Sequence, residues 1–181
     1  MTVRSAESED FSRIAEIYGH YVRTHLATFE ETPPGEDEML ERWRKTKALR
    51  LPYLVAEVNG MLAGYAYASS YRPRPAYRYT VEDSIYIDPN FRRRGIGREL
   101  LGRLIEAAAA VGCRQMIAII GDSANEPSIA LHEAFGFKLV GILQSVGYKF
   151  DRWVDTVIMQ RTLPTDASLD DASASPLESH P

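Results

Sequence analysis

Three arginines, two glycines and a leucine-faced helix stand together in NFRRRGIGRELLGRLIEAAAA, residues Asn90 to Ala110. Glycines at a helix start let the backbone approach a ligand closely and take turns that a side chain forbids. The first turn of a helix carries unpaired N–H groups and a partial positive charge, so it attracts anions. Arg92, Arg93, Arg94 and Arg98 add cationic charge at the same place. The chemistry on offer is the holding of a phosphate or pyrophosphate. Two nucleotide motifs are not met. A Walker loop needs a Lys-Ser/Thr pair, which this segment lacks, and the dinucleotide fingerprint needs a third glycine where the chain has Leu100. A basic helix start with packing glycines is the other reading of the same residues.

Such a junction needs a strand before it and a helix behind it. VEDSIYID alternates and reads as the strand, ending at Pro89. Leu100, Leu101, Leu104, Ile105 and Ala108 form the buried stripe of the helix. Upstream, TVRS reads as a short strand. Phe11, Ile14, Ile17, Tyr18, Tyr21 and Val22 make one apolar stripe of a first helix from Ser8. A more polar helix is expected over about Glu36 to Ala48, with Met39, Leu40 and Trp43 facing inward. Asn59-Gly60 between two apolar runs predicts a hairpin. CRQMIAII reads as a buried strand, and GDSANEPSIALHEAFGF as a loop and short helix with Pro127 in its first turn. Two long strands joined at Asp151 follow. The order βααβββαβαββ implies an α/β fold, a mixed sheet with helices on its faces. Residues 1–163 make one domain. Residues 164–181, PTDASLDDASASPLESHP, hold few large apolar groups and are expected to be a disordered polar tail.

The chain has 181 residues, a net charge of -4 and 45% hydrophobic residues. That balance argues against a general nucleic-acid binder, whose footprint is usually basic. The single cysteine, Cys113, allows no intrachain disulfide and suits a reducing cytoplasm. No signal peptide and no apolar run of roughly 20 residues stand out, so a membrane is not expected. His20 and His25 lack a third ligand at useful spacing, so no metal is expected.

RRRGIG resembles the R/Q-x-x-G-x-G/A acetyl-CoA motif of the GNAT acetyltransferases, with Arg92, Gly95 and Gly97 in the defining positions. YTVEDSIYI, IAIIG, NEPSIALHEAFGF and GYKFDRWVD together resemble the phosphinothricin N-acetyltransferase branch, whose members acetylate the α-amino group of phosphinothricin, methionine sulfoximine and methionine sulfone. The likeness spans residues 1–163 and implies the GNAT fold, with a mostly antiparallel sheet. It implies that acetyl-CoA is the co-substrate. The backbone of the Arg92, Arg93, Arg94, Gly95, Ile96, Gly97 and Arg98 loop would hold its pyrophosphate. Ile85, Tyr86 and Ile87 would pair with its pantetheine arm, and Asn125 and Ser128 would contact it before the next helix.

The same likeness makes Glu82 the catalytic carboxylate, acting through water. A surface Glu beside Asp83 is the plainer reading of the residue alone. His132 stands where many relatives carry a tyrosine that protonates the departing thiolate, and a histidine suits that task near neutral pH. Tyr86 is the alternative acid, and a packed helical histidine is the structural alternative. For the acceptor, Arg72, Arg74 and Tyr77 in YRPRPAYRY match substrate-contacting positions. Arginine's fork of donors fits carboxylate and phosphinate oxygens, although a solvated loop would look the same. Phe29 matches an apolar wall residue, Gly121 opens the end of its strand toward the acceptor, and Lys149 is a further anion contact. Relatives commonly form homodimers with their acceptor sites near the interface.

Two other functions remain open. One is a GNAT enzyme for a different amine or a protein N-terminus. The other is a non-catalytic acyl-CoA sensor, against which the presence of both Glu82 and His132 argues.

Overall fold

The computed structural model describes residues 1–164. The expected tail lies outside the described residues apart from Pro164. Seven strands and four helices follow in the order read from the sequence: β1 (Thr2–Ser5), α1 (Phe11–Thr24), α2 (Glu36–Ala48), β2 (Tyr53–Val58), β3 (Met61–Ser70), β4 (Thr80–Ile87), α3 (Ile96–Ala110), β5 (Gln115–Gly121), α4 (Glu126–Ala134), β6 (Lys138–Lys149) and β7 (Arg152–Thr162). A 3-10 turn over Ser8–Asp10 leads into α1. Asn59 and Gly60 both have positive φ, 52° and 76°, which is the backbone of a tight two-residue hairpin.

The sheet order is β1-β2-β3-β4-β5-β7-β6, and every pair is antiparallel except β4 with β5. Alternation along the strands builds a core on each face. Leu54, Ala66, Ala68 and Val81 pack under the leucine stripe of α3. Tyr53, Val55, Tyr65 and Tyr86 pack under Phe11, Ile14, Ile17 and Tyr18 of α1, with Met39 of α2. Small residues on the α3 face let that helix sit close. Tyrosines on the other face stack, with Tyr53 and Tyr67 at 4.8 Å and Tyr65 and Tyr86 at 5.3 Å between centroids.

The feature that makes a site is the short parallel pairing. Thr80–Asp83 lie against Gln115–Ala118. Past those residues β4 continues to Ile87 beside β3, and β5 continues to Gly121 beside β7. The two strands are not paired with each other there. The sheet therefore opens as a wedge, with one free backbone edge on Ser84–Ile87 and another on Ile119–Gly121.

Candidate active site

A cleft of about 1040 Å³ fills the wedge. Its walls are β4 from Asp83 to Ile87, the Pro89–Arg98 junction, the end of β5, and α4 with Asn125, Ser128 and His132. At its wide end Gly95 takes a left-handed φ of 77° and starts α3. The first helical bond of α3 runs from the Glu99 N–H to the Gly95 carbonyl at 3.1 Å. The N–H groups of Ile96, Gly97 and Arg98 are thus unused by the helix and available to an anion. The Ile96 side chain is buried in the core, so only its backbone faces a ligand. The guanidinium of Arg94 lies over Phe91 at 5.1 Å and that of Arg98 over Phe135 at 5.3 Å. Arg92 leans over Tyr21 and donates to His25 Nε2 at 2.9 Å, while Arg93 is exposed. Asn125 caps α4, its side chain accepting from the Ser128 N–H at 3.4 Å. These groups fit a coenzyme: an anion cradle, then a free strand edge of four residues, about 13 Å at 3.3 Å per residue, for an extended amide-bearing arm.

At the narrow end Asp83 and His132 line the cleft, while Glu82 lies one residue before the strands part and is outside the cleft lining. Glu82 and Asp83 are adjacent on β4 and so point to opposite faces of the sheet. Glu82 is half-buried on the face of Ser84 and Tyr86. Burial, and secondarily the charge of Asp83, push its carboxyl above the ordinary glutamate range. Asp83 is buried on the α3–α4 face, where its Oδ2 lies 3.0 Å from His132 Nε2. His132 Nδ1 is 2.7 Å from the Ser128 carbonyl, and its ring stands edge-on to Phe137. Burial alone would depress the imidazole. The Asp83 carboxylate and the Ser128 carbonyl overcome that and hold it above its ordinary value. Tyr86 reaches the cleft from β4, but its ring is packed among Tyr18, Tyr21 and Tyr65, and burial raises its hydroxyl well above the usual value. Its backbone belongs to the stretch of β4 that is unpaired with β5.

The other wall is the loop between α1 and α2. The Leu26 carbonyl and the Phe29 ring lie against Gly121, and the same ring lies against Gly147 of β6; a methyl on either glycine would collide with them. Lys149 is buried and its Nζ donates to the carbonyls of His25 at 3.0 Å and Thr28 at 2.7 Å. Lys149 is therefore a clamp on this loop, correcting its reading as an anion contact. Glu30, held by Arg42 at 2.7 Å and by the Tyr18 hydroxyl at 2.8 Å, fixes the far end. The structure thus brings Phe29 and Gly121 together. It does not bring Arg72, Arg74 or Tyr77 into the cleft wall: they stand exposed on the β3–β4 loop, the two arginines lining a separate hollow of about 220 Å³ with Arg78. Asp83, Gly147 and the clamping role of Lys149 were not read from the sequence. An acid set between Val81 and Ile85 on an apolar strand face is the signal that marks Asp83.

A wedge-split mixed sheet, with an anion-binding helix start at the wide end and a carboxylate at the apex, is the architecture of an acyl-coenzyme A transferase. Residues 14–137 match the acetyltransferase (GNAT) family, and the chain belongs to it as an acetyl-CoA-dependent N-acetyltransferase. Among its relatives is a phosphinothricin N-acetyltransferase of Alcaligenes faecalis, 53% identical over 162 residues, 90% of this chain and 82% of the relative. Another is the L-methionine sulfoximine/L-methionine sulfone acetyltransferase of Salmonella typhimurium, 39% identical over 94% of this chain and 99% of the relative. A solved phosphinothricin acetyltransferase of Sinorhizobium meliloti, in complex with AcCoA, superposes with a TM-score of 0.88 at 46% identity. It covers 98% of this chain and 93% of that one. No described helix is long and apolar enough to cross a membrane, and no group of three or more metal-ligating side chains occurs among the described residues.

Proposed function

We propose that the protein moves acetyl from acetyl-CoA directly to the α-amino group of a small amino-acid analogue, phosphinothricin, methionine sulfoximine or methionine sulfone. The reading is carried by Glu82, a carboxylate with a raised pKa at the apex of the wedge, in a chain whose relatives carry those substrates in their names. The Ile96–Arg98 N–H groups bind the pyrophosphate, and the Ser84–Ile87 edge aligns the arm so that its thioester reaches the apex. Glu82, through a water, takes the proton that the ammonium must lose. A proton acceptor poised nearer neutrality is the better base for that task. His132 returns a proton to the departing sulfur. Phe29 walls the acceptor where it lies against Gly121. Incubation with acetyl-CoA and an amino-acid panel, followed by thiol release, tests this. Turnover with the three analogues above that with other amino acids is expected. Thiol release only with peptide N-termini or polyamines would overturn the acceptor assignment.

We also infer a homodimer. Strand β6 exposes Leu139, Val140, Ile142, Leu143 and Val146, residues from both of its faces. An apolar strand bare on two sides needs cover in water. Sedimentation equilibrium should give twice the chain mass, and a Leu139→Lys/Ile142→Lys variant half of it. A monomeric parent protein would refute the inference.

A further inference from the structure

The reading of His132 as proton donor leaves open what sets its charge, and Asp83 is the group that touches it. The Ser128 carbonyl can only accept a hydrogen bond, so Nδ1 carries a hydrogen. Nε2 faces a carboxylate oxygen at 3.0 Å, so a second proton lies between ring and acid. The other oxygen, Asp83 Oδ1, is buried and has no hydrogen-bond partner among the described residues. Among the described residues His132 is thus the only side chain that compensates a carboxylate 2% exposed. Loss of the shared proton would leave a buried charge with no cation beside it, which a low-dielectric setting resists. Both residues line the cleft at the point where β4 and β5 part.

We propose that Asp83 is a positioning residue that keeps this proton on His132 until sulfur needs it. The inference rests on the acetyltransferase reading above. When the amine nitrogen bonds to the acetyl carbon and the carbon–sulfur bond breaks, the electron pair goes to sulfur. Glu82 has taken one proton from the nitrogen, and His132 Nε2 gives one to sulfur. The pair is left as neutral imidazole and carboxylate, and it is reset when His132 takes a proton from solvent and Glu82 gives one up. A thiol with a pKa near 8.5 is matched best by an acid raised toward that value, which an unassisted buried histidine would not be. The neighbours of the ring are few. From β4 it meets Asp83, from α4 the Ser128 carbonyl, and from the chain beyond α4 the Phe137 ring; Glu82 lies on the opposite sheet face. Burial pulls the imidazole down, and Asp83 is the main group that raises it against that pull.

The test is the pH profile of kcat for wild type, Asp83→Asn, His132→Gln and the double variant, with saturating acetyl-CoA. Wild type should lose activity on an alkaline limb above the ordinary histidine value. Asp83→Asn should move that limb down by about one pH unit or more, so that its loss is at least about tenfold larger near pH 9 than near pH 6. The KM for acetyl-CoA should not change. The double variant should be no slower than His132→Gln. A limb unmoved in Asp83→Asn, or a loss equal at all pH values, would show a structural role only and overturn the proposal. A second readout covers the case in which Asp83→Asn does not fold and needs no acceptor. Nitrogen-15 imidazole spectra of the wild-type protein should show His132 protonated on both nitrogens at neutral pH. A singly protonated ring there would overturn the pairing, whereas an intact pair in a protein that acetylates nothing would fault the enzymatic reading instead.

Discussion

The two halves of the cleft are built in opposite ways. The proposed cofactor half is mainly one run of chain, Ser84 to Arg98, joined by Asn125 and Ser128 of α4, and offers backbone N–H groups and a free strand edge for binding. The proposed acceptor half would draw on four distant pieces: the Leu26–Glu30 loop, Gly121 at the end of β5, Gly147 and Lys149 on β6 that hold that loop, and Glu82 on β4. A coenzyme common to many enzymes needs only a backbone shape. A particular acceptor needs side chains in fixed positions, and those come from wherever the fold places them. Substitutions should therefore hurt more, and more selectively, in the second half than in the first.

The largest effect is expected at the apex. Glu82→Gln should lower kcat by about 10² to 10⁴, the range for removing a placed proton acceptor, while the Kd for acetyl-CoA measured by calorimetry stays within about twofold. The sign of its pH effect follows from burial. The carboxyl is raised, and only its ionised form accepts a proton. Wild-type kcat should therefore fall with acid on a limb above the ordinary glutamate value, and a limb at that ordinary value would remove Glu82 from the mechanism. Next comes Gly121→Ala, whose methyl would strike the Leu26 carbonyl. Backbone has to move, and a shift of about 1 Å costs on the order of 10² in rate. The loss should fall on kcat/KM for the amino acid and spare acetyl-CoA binding.

Legibility follows the same division. The glycine junction, the order of elements and the two hairpins could be read because each is local: a turn, a helix start or a period of two or four. The wedge could not. Nothing in QMIAIIG marks Ala118 as the last residue paired with β4, since its pairing with β7 continues unbroken to Gly121. Lys149 illustrates the limit for side chains. Read alone it is a free cation, and only the fold shows its ammonium spent on carbonyls more than 100 residues away in sequence. Asp83 lies between. Alternation places it on the buried face, but its partner on α4 is 49 residues downstream.

Lys149→Met should test the clamp. The methionine fills the space but leaves the His25 and Thr28 carbonyls without their donor. The Phe29 wall should loosen, raising KM for the amino acid about tenfold, roughly the cost of orphaning buried acceptors, with kcat little changed. Hydrogen exchange of residues 25–30 should quicken in parallel. Unchanged exchange would show that the Glu30–Arg42 contact holds the loop alone.

The cofactor half gives the smaller effects, and two substitutions there separate backbone from charge. Gly95→Ala forces a side chain into a left-handed turn, costing on the order of 1 kcal/mol, so acetyl-CoA should bind about fivefold more weakly even though open space surrounds the added methyl. Arg93→Ala removes an exposed cation from the same loop. Exposed charge pairs are worth little and are screened by salt, so the Kd should rise only about threefold at low ionic strength and return toward wild type near 1 M salt. If Arg93→Ala instead exceeded Gly95→Ala at high salt, the pyrophosphate would be held by side-chain forks rather than by the helix start. The contrast between a backbone-built and a side-chain-built half would then fail.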